Sequence, residues 1–359
     1  MAAYGHVTSF HVLRDTPKGP SPVASAPCCY FFALHLPIFS YDFTSFKSPF
    51  PFFSLMRILV TGGAGFIGSN IALAFDKDHD VVVIDNFQNA RFSNLIGFRG
   101  QFYTGSIIDF DWDSLGKFDY IFHQAAISDT RVLDQELMMK TNVDAFRRLL
   151  DYAARIKAHM IYASSAAVYG NTPSPYREDG CLEPLNVYGF SKVMMDHVAQ
   201  EYMKKYNGVI RIVGLRYFNV FGPREAHKDK FASMIYQLSQ QMLSGKRPRV
   251  FTPGDQCRDH VYVKDIVSMN QLAMKAPYSC ILNAATGNAT SFNRIIEILN
   301  DVLGTDLPPE YFDCPYDFFQ AHTQADLALA KKLLGYEPQW TMEAGIKDYM
   351  EWLGVGTKK

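Results

Sequence analysis

The sequence predicts an α/β protein whose core is a doubly wound parallel sheet, with a smaller α/β region toward the C terminus. From Met56 onward, short apolar runs alternate with helical stretches, and the first run leads directly into a glycine-rich loop. Strands of a parallel sheet are covered by helices on both faces and are therefore apolar along their length. The alternation thus indicates a sheet with helices on both sides.

Five apolar runs supply the predicted strands of this sheet, and helical stretches lie between them. The runs are Ile58–Val60, Val81–Ile84, Tyr120–Phe122, Met160–Ala163 and Val209–Leu215. Helices are expected at Ser69–Phe75 and Thr141–Arg155. Short apolar strands that are separated by helices imply parallel pairing.

The alternation stops where residues 224–260 begin, because that stretch is polar and irregular. Val261–Met269 and Cys280–Ala285 are expected to return to the sheet. Residues 289–359 are expected to be helical with loops, including a helix at Glu343–Trp352.

Residues 1–55 differ from the rest of the chain, because they are rich in Phe, Ser and Pro, carry few charges and show no sustained period. Met56 directly precedes the first predicted strand, where many nucleotide-binding folds begin. We therefore predict that residues 1–55 are a non-homologous or disordered extension. A genuine targeting or interaction segment is the alternative.

The composition argues against several classes of function. The net charge of −1 over 359 residues gives no electrostatic basis for binding nucleic acid or an anionic membrane. No apolar run is long enough to span a bilayer. The six cysteines are scattered without the spacing of metal ligands, so we predict free thiols, no metal site and a cytoplasmic location.

A glycine-rich loop follows the first predicted strand and opens the first helix. Gly62 allows the tight turn, Gly65 lets the backbone approach a pyrophosphate, and Gly68 permits close packing of the helix on the strand. The N-terminus of the helix supplies free N–H groups and positive potential for phosphate. The context predicts a dinucleotide site, with a simple glycine-rich turn as the alternative.

Other strand ends are expected to line the same cofactor. Asp85 ends the second strand and can accept hydrogen bonds from the adenosine ribose, which favours NAD. The nearby Arg91 can supply the cation that a 2′-phosphate needs, so NAD and NADP both stay open. Ser106 and Ile107 follow the third strand, where the adenine edge is met. His123 ends the fourth strand and is interpreted as a structural histidine.

These observations divide the chain into two predicted domains. An NAD(P)-binding Rossmann domain comprises residues 56–223 plus 261–288. A smaller substrate-binding domain comprises residues 224–260 plus 289–359.

The predicted chemical centre combines a tyrosine, a lysine and a serine. Tyr188 and Lys192 are four residues apart, which places them on one face of a helix. The ammonium group of Lys192 can then lower the pKa of Tyr188 by favouring the phenolate. Ser165 ends a strand at the sheet edge where ligands bind, so its hydroxyl can contact the substrate oxygen beside Tyr188. Such a centre suits the interconversion of an alcohol and a ketone.

Ser165, Tyr188 and Lys192, in this order, resemble the extended short-chain dehydrogenase/reductase superfamily, and the resemblance runs from Met56 to near the C terminus. It implies that the tyrosine is the general acid/base, that the lysine binds the nicotinamide ribose and that the serine positions the substrate. Sugar-nucleotide dehydratases of this superfamily carry an Asp-Glu pair after the catalytic hydroxyl residue. Ala166 and Ala167 stand there in this chain, which argues against dehydration.

A further block narrows the resemblance. Residues 216–228 end in Pro-Arg-Glu-Ala-His-Lys and are similar to the ADP-L-glycero-D-manno-heptose 6-epimerase family. Other segments agree with that family. They are Tyr162–Gly170, Pro184–Lys192, Ala232–Met234, Arg258–Val263 and Phe319–Asp326.

The resemblance implies epimerisation of ADP-D-glycero-D-manno-heptose at C6″ through a transient 6″-ketone, in the synthesis of the lipopolysaccharide inner core. It also implies a homo-oligomer with one NADP per subunit, tightly bound and not consumed, NAD being possible. The alternative is another NAD-dependent sugar-nucleotide epimerase, such as a UDP-hexose 4-epimerase. A non-enzymatic, NADP-binding scaffold fits poorly with the intact residues of the chemical centre.

Inversion through a ketone explains a second base. Hydride leaves one face of the carbon and returns to the other, so an acid/base must serve each orientation of the intermediate. Tyr188 serves one orientation, and Lys228 resembles the family's second base. A surface lysine, or one that only binds phosphate, is the alternative for Lys228.

The predicted site residues fall into three overlapping groups. The catalytic residues are Ser165, Tyr188, Lys192 and Lys228. The cofactor-binding residues are Gly62, Gly65, Phe66, Ile67, Gly68, Asp85, Asn86, Arg91, Ser106, Ile107, Gln124, Ala125, Ala126, Asn142, Tyr188, Lys192, Val220 and Lys228. The substrate-binding residues are Ser165, Asn219, Lys230, Gln237, Phe251, Arg258 and Phe319.

Three of the substrate-binding positions depart from the family's best-known pattern. Lys230 replaces a serine, Gln237 a histidine and Phe319 a tyrosine. Each change alters a polar contact to the sugar or the phosphate, so the exact sugar nucleotide stays open. Arg258 retains a guanidinium that matches a diphosphate.

Overall fold

A computed structural model of the protein describes residues 55–315 and 320–355. Within them, twelve strands follow one another along the chain. They are β1 (Arg57–Thr61), β2 (Asp80–Asp85), β3 (Gln101–Thr104), β4 (Tyr120–His123), β5 (His159–Ser165), β6 (Ile212–Tyr217), β7 (Asn219–Phe221), β8 (Arg249–Phe251), β9 (Cys257–Tyr262), β10 (Cys280–Ala284), β11 (Ala289–Ser291) and β12 (Glu310–Phe312).

The same residues form nine α-helices, and none of these is long and apolar enough to cross a membrane. They are α1 (Phe66–Phe75), α2 (Gln135–Met139), α3 (Ala145–Ile156), α4 (Val187–Lys205), α5 (Met234–Leu243), α6 (Val263–Ala273), α7 (Phe292–Leu303), α8 (Ala328–Leu334) and α9 (Met342–Trp352).

Seven strands form the central sheet in the order β3-β2-β1-β4-β5-β6-β10, and every pair of neighbours is parallel. The strand order reverses direction between β1 and β4. In open α/β sheets, ligands bind outside the carboxyl ends of the strands at such a reversal. The glycine-rich loop follows β1 and therefore opens at this point. The predicted Rossmann-type fold is confirmed.

Alternating side chains of the strands pack against helices on opposite faces of the sheet. Leu59 belongs to the core on one face, together with Phe146 of α3. Ile58 and Val60 belong to the core on the other face, together with Ile266 of α6. This double burial explains why β1, β2 and β4 are continuous apolar runs in the sequence.

Most of the predicted strands are found with small shifts of their ends. The run predicted at Val209–Leu215 begins as a strand only at Ile212, because Val209 is 49% exposed in the turn that follows α4. The predicted return at Cys280–Ala285 is confirmed by β10, which pairs with β6. The predicted return at Val261–Met269 is instead the end of β9 followed by helix α6, which packs on α1.

The region of residues 224–260 was expected to be irregular, and that prediction is wrong. It contains α5, β8 and β9. Ser233 caps α5 by accepting a hydrogen bond from the backbone N–H of Tyr236 at 3.2 Å, and Ile235, Leu238 and Met242 form the buried stripe of the helix. Glutamine residues between those apolar positions conceal the period in the sequence.

Two small sheets complete the C-terminal region. Strand β9 pairs with β7 in parallel and with β11 in antiparallel orientation, and β8 pairs with β12 in parallel. The described residues fall in one compact unit, so the division into two domains stays a prediction. The prediction for residues 1–55 lies outside the described residues, apart from Leu55.

A buried ion pair fixes helix α4 to the sheet. Arg216 Nε of β6 donates to Asp196 Oδ2 at 3.0 Å, and the Tyr162 hydroxyl of β5 donates to Asp196 Oδ1 at 2.9 Å. Arg216 also donates to the hydroxyl of Tyr169, which in turn donates to Asn283 of β10. Asp196 and Arg216 are at most 2% exposed. The network therefore ties α4 to three adjacent strands.

Strand β4 ends in a buried histidine. His123 Nδ1 lies 2.8 Å from Thr61 Oγ1, and its ring stacks on Phe146 with centroids 5.2 Å apart. Burial, together with the nearby charge of Lys192, lowers the pKa of His123 to about 3. The geometry agrees with the structural role that the sequence predicts.

We expect Asp196→Ala to cost about 3–5 kcal/mol of unfolding free energy, because it leaves the charge of Arg216 buried and unpaired. Glu201→Ala on the same helix is the control, because Glu201 pairs with Arg147 at an exposed site and should cost less than about 1 kcal/mol. Urea denaturation measures both. Equal losses of unfolding free energy in Asp196→Ala and Glu201→Ala would mean that the buried pair does not fix α4.

We also expect stability to fall as the pH drops from 6.5 to 5.5. The pKa of His123 and that of His260 are both lowered to about 3 by burial, so only the unfolded chain takes up protons there in this window. Each histidine adds a slope of up to about 1.4 kcal/mol per pH unit. His123→Gln should remove the contribution of one histidine to this slope. The control His197→Gln, at an exposed position of α4, should leave the slope unchanged. Calorimetry at several pH values tests this.

Candidate active site

The glycine-rich loop fits a phosphate-binding role. Gly62 has φ +67°, and a Cβ there would lie 2.6 Å from the backbone nitrogen of Ala125. A Cβ on Gly68 would lie 2.2 Å from the carbonyl oxygen of Gly62, so the start of α1 packs directly on the loop. The N-cap of α1 is Gly65, with no capping side chain and no acidic residue in the first turn. The N–H groups of that turn are thus available to an anion.

Asp85 lies at the carboxyl end of β2, beside this loop. Its carboxylate accepts hydrogen bonds from the backbone N–H groups of Ala64 at 3.0 Å and Phe87 at 2.8 Å. Burial raises the pKa of Asp85, and these two bonds together with His227 partly oppose that rise. The carboxylate therefore shapes the loop as well as facing the predicted ribose.

His227 lies close enough to both Asp85 and Arg91 to interact with them electrostatically. Arg91 is exposed, and its Nη1 donates a long hydrogen bond of 3.4 Å to the Ala90 carbonyl. His227 Nδ1 lies 2.9 Å from the Arg224 carbonyl and 3.1 Å from the amide of Asn94. Burial lowers the pKa of His227, and the charges of Lys228 and Arg91 add to this. Sequence reasoning missed His227 as a site residue, because its interactions with Asn94 and Asp85 join distant parts of the chain.

Asn142 positions two parts of the site. It lies in a π-helical turn, Lys140–Asp144, between α2 and α3. Its amide accepts from the backbone N–H of Ile127 at 2.8 Å and donates to the Ile127 carbonyl and to Ser191 Oγ, both at 3.0 Å. The loop after β4, which holds the predicted residues Gln124–Ala126, is thereby tied to α4. A direct contact between Asn142 and a cofactor stays a prediction.

Tyr188 and Ser165 meet where α4 begins. Asn186 caps the helix by accepting from the Gly189 N–H at 2.8 Å, which places Tyr188 in the first turn. A Cβ on Gly189 would lie 2.7 Å from the Ala167 carbonyl, so the glycine allows the helix to approach the turn after Ser165. Burial raises the pKa of Tyr188, and a hydrogen bond with Ser165 partly opposes the rise. This role of Gly189 was not predicted from the sequence.

Lys192 is almost fully buried one turn later in α4. Its Nζ donates to the Ala163 carbonyl at 2.7 Å and lies 5.9 Å from the centroid of the Tyr188 ring. Burial lowers the pKa of Lys192 to about 8, although the charge of Asp196 opposes this. The expectation that Lys192 lowers the pKa of Tyr188 is wrong for this structure, because burial dominates at Tyr188 and the ammonium is bonded to Ala163.

A cavity of about 740 Å³ lies between α5, β7, β8 and β9. It brings together seven residues that the sequence predicts for the site. They are Asn219, Val220, Lys228, Lys230, Gln237, Phe251 and Arg258. Phe319 lies outside the described residues, and Ser165 is not part of the lining.

The two lysines of this cavity differ in burial. Lys228 is partly buried, with Nζ 5.7 Å from the centroid of the Phe66 ring, and burial lowers its pKa against the opposing charge of Glu225. Lys230 is exposed, with Nζ 5.7 Å from the ring of Phe231. Between them Asp229 has φ +50°, a strained conformation for a residue with a side chain. Burial of Lys228 argues against the alternative of an ordinary surface lysine.

Arginine and aromatic side chains line the other part of the cavity. Burial lowers the pKa of Arg258, and its guanidinium lies 6.0 Å from the centroid of the Phe292 ring. The rings of Phe251 and Phe312 meet edge to face, with centroids 4.9 Å apart. Sequence reasoning missed Phe292, Phe312 and His260 as lining residues. Strand alternation in β9 could have indicated His260, since Arg258 was identified two residues earlier.

Comparisons with known proteins agree with this geometry. The model of the NAD dependent epimerase/dehydratase family matches residues 58–284. The chain is 39% identical over 312 residues to an ADP-L-glycero-D-manno-heptose-6-epimerase from Brachyspira hyodysenteriae, covering 82% of this chain and 96% of that protein.

Solved structures of similar proteins have the same fold. The ADP-L-glycero-D-manno-heptose-6-epimerase of Helicobacter pylori superposes with a TM-score of 0.78 at 44% identity, covering 84% of this chain and 97% of that one. The UDP-N-acetylglucosamine 4-epimerase of Methanobrevibacter ruminantium M1 gives a TM-score of 0.79 at 30% identity. The match covers 83% of this chain and 98% of that one. With its glycine-rich loop, its tyrosine–lysine helix and these matches, the chain belongs to the NAD-dependent epimerase/dehydratase family.

Proposed function

We propose that the protein converts ADP-D-glycero-D-manno-heptose into its L-glycero epimer by inverting C6″ through a transient 6″-ketone. The observation that carries the proposal is the partly buried Lys228 in the cavity, a second proton-transfer group in addition to Tyr188. Inversion through a ketone needs one such group for each orientation of the intermediate. Two relatives named for this reaction, at 39% and 44% identity, support the choice of substrate.

Tyr188 and Ser165 act on the oxygen at C6″ in the orientation in which the ketone is reduced and its oxygen needs a proton. Because burial raises the pKa of Tyr188, the phenol keeps its proton and can donate it to a ketone oxygen. Ser165 bonds the phenol and can bond the same substrate oxygen. A bound nicotinamide cofactor supplies the hydride acceptor and donor for this chemistry.

Lys228 acts on the same oxygen in the other orientation, in which the alcohol is oxidised and a base must take its proton. Its pKa is lowered by burial, so the neutral amine that a base requires is more accessible than for an exposed lysine. Glu225, three residues before it, opposes that shift and keeps the ammonium form available as a donor. The two effects together suit a group that must both take and return a proton.

The remaining lining residues hold the substrate. Asn219 contacts the sugar, and Arg258 pairs with the diphosphate, because a planar guanidinium bonds two phosphate oxygens at once. Phe251 approaches the nucleotide. Lys230 and Gln237 contact the sugar or the phosphates from α5 and the segment before it.

We propose NADP as the cofactor, one per subunit, tightly bound and not consumed. Both carboxylate oxygens of Asp85 already accept backbone hydrogen bonds, which reduces their availability to a ribose diol. Arg91 is exposed nearby and can turn toward a 2′-phosphate.

We also propose that the protein works as a homo-oligomer in the cytoplasm, on the route to the inner core of lipopolysaccharide.

The full chain, incubated with ADP-D-glycero-D-manno-heptose and no added cofactor, is expected to form the L-glycero epimer, detected by NMR or chromatography.

Tyr188→Phe should lower kcat by about 10²–10⁴-fold while the cofactor stays bound, because only the proton donor is lost. Lys228→Met should lower kcat to a similar extent, whereas the control Lys275→Met, at an exposed site outside the cavity, should not.

Absence of conversion, even with NADP and NAD supplied, would exclude the heptose substrate. Conversion of a UDP-hexose instead would favour the alternative 4-epimerase. If Tyr188→Phe kept full turnover, the proposed acid/base would be wrong.

Nucleotide released by denaturing the purified protein is expected to be NADP. Arg91→Leu should weaken NADP binding to the cofactor-free protein by about 10- to 100-fold, since one charge-assisted contact is lost, and should change NAD binding little. Arg99→Leu is the control, because Arg99 is exposed and lies 3.7 Å from Asp76. Fluorescence titration measures each affinity. Release of NAD, with no effect of Arg91→Leu, would contradict the assignment.

A further inference from the structure

Arg258 and His260 share one face of β9, and both line the cavity. Side chains alternate along a strand, so Asp259, between them, points the other way. The Asp259 carboxylate accepts from the backbone N–H and the hydroxyl of Thr286 at 2.8 and 2.7 Å, and from the Gly287 N–H at 2.9 Å. The backbone that carries His260 is therefore held rigidly.

His260 has hydrogen-bonding capacity that the described residues do not use. Its side chain is 4% exposed, and neither ring nitrogen has a hydrogen-bond partner of normal geometry among the described residues. The rings of Phe221 and Phe292 meet the imidazole edge to face, at centroid distances of 6.5 and 6.2 Å. Buried polar groups are usually hydrogen-bonded, so an imidazole without a well-formed hydrogen bond in the wall of a cavity points to a ligand.

The strand register places His260 beside the residue that is proposed to contact the sugar. His260 pairs with Asn219 of β7, the residue proposed to contact the sugar. Arg258, proposed to bind the diphosphate, lies two residues back along β9, about 7 Å away. His260 is thus on the sugar side of the phosphate-binding arginine.

The charge state of the imidazole selects the type of ligand group. Burial and the nearby charge of Arg258 lower the pKa of His260 to about 3, although the Asn219 backbone weakly favours protonation. The neutral ring has one donor nitrogen and one acceptor nitrogen. A hydroxyl group also donates and accepts, whereas a phosphate only accepts.

We propose that His260 is a substrate-binding residue that hydrogen-bonds a hydroxyl group of the sugar in the bound sugar nucleotide. The inference rests on the proposed function, since it needs a sugar nucleotide in this cavity. It adds a specificity contact beside Asn219 that only a hydroxylated sugar can satisfy.

The test compares steady-state kinetics of the full chain and its His260→Phe variant with ADP-D-glycero-D-manno-heptose. Phenylalanine fits among the same aromatic rings and removes both nitrogens. We expect KM to rise about 3- to 10-fold, the equivalent of one hydrogen bond, with kcat changed less than about twofold. His260→Asn should recover part of the affinity. The control His79→Phe, in the turn after α1 and outside the cavity, should leave KM unchanged.

Two further measurements separate a ligand contact from a structural role. Binding of ADP alone, followed by calorimetry, should be equal in the unaltered chain and in His260→Phe, because ADP lacks the sugar. Without ligand, His260→Phe should unfold at the same or a higher temperature, because it removes buried polar atoms that lack partners. A lower unfolding temperature with unchanged KM would assign His260 to the structure and overturn the inference.

Failure of the inference is distinct from failure of the proposed function. If the unaltered chain converts the heptose and His260→Phe has the same KM, only the role of His260 is wrong. An equal loss of ADP affinity in the variant would place His260 at the nucleotide and would also overturn the inference. If the unaltered chain converts no sugar nucleotide, both proposals fall together.

Discussion

The ion pair between Asp196 and Arg216 holds the helix that carries the chemical centre. Asp196 lies one turn after Lys192 in α4, and Arg216 projects from β6. The same carboxylate accepts from Tyr162 of β5, so the helix is fixed in two directions. Tyr188 can meet Ser165 only if α4 keeps this position, because Ser165 ends β5. The charge of Asp196 also favours the ammonium form of Lys192, so one carboxylate contributes both to the geometry and to the proton affinities of the site.

Burial, rather than pairing of charges, sets the protonation of this centre. It raises the pKa of Tyr188 and lowers that of both Lys192 and Lys228, which favours the neutral form of each group. The carboxylates that oppose these shifts at the two lysines, Asp196 and Glu225, are themselves buried and hydrogen-bonded. A phenol that keeps its proton and an amine that can lose one are complementary partners for a reaction in which an alcohol becomes a ketone and an alcohol again.

Much of the fold followed from local patterns, whereas several site features depended on tertiary contacts. Continuous apolar strands and the spacing of glycines are local, so the parallel sheet and the loop were predictable. Helix α5 was missed because glutamines interrupt its apolar stripe. The pKa of Tyr188 was predicted in the wrong direction, because sequence spacing gives proximity to Lys192 but not burial. Gly189 packs against Ala167 and His227 interacts with Asn94, and no single pattern in the sequence connects either pair.

The set of side chains that line the cavity depends on the register of β9, and that register depends on a residue outside the cavity. A shift of one residue would exchange the face of Arg258 and His260 for that of Asp259, and so replace a cation and an imidazole with a carboxylate. Asp259 prevents this because its carboxylate also accepts from the Ala325 N–H at 3.1 Å, in addition to its bonds to Thr286 and Gly287. These partners come from separate loops, so all must be in place before the carboxylate is satisfied. A buried acid with no place in the proposed reaction thereby determines which side chains line the cavity.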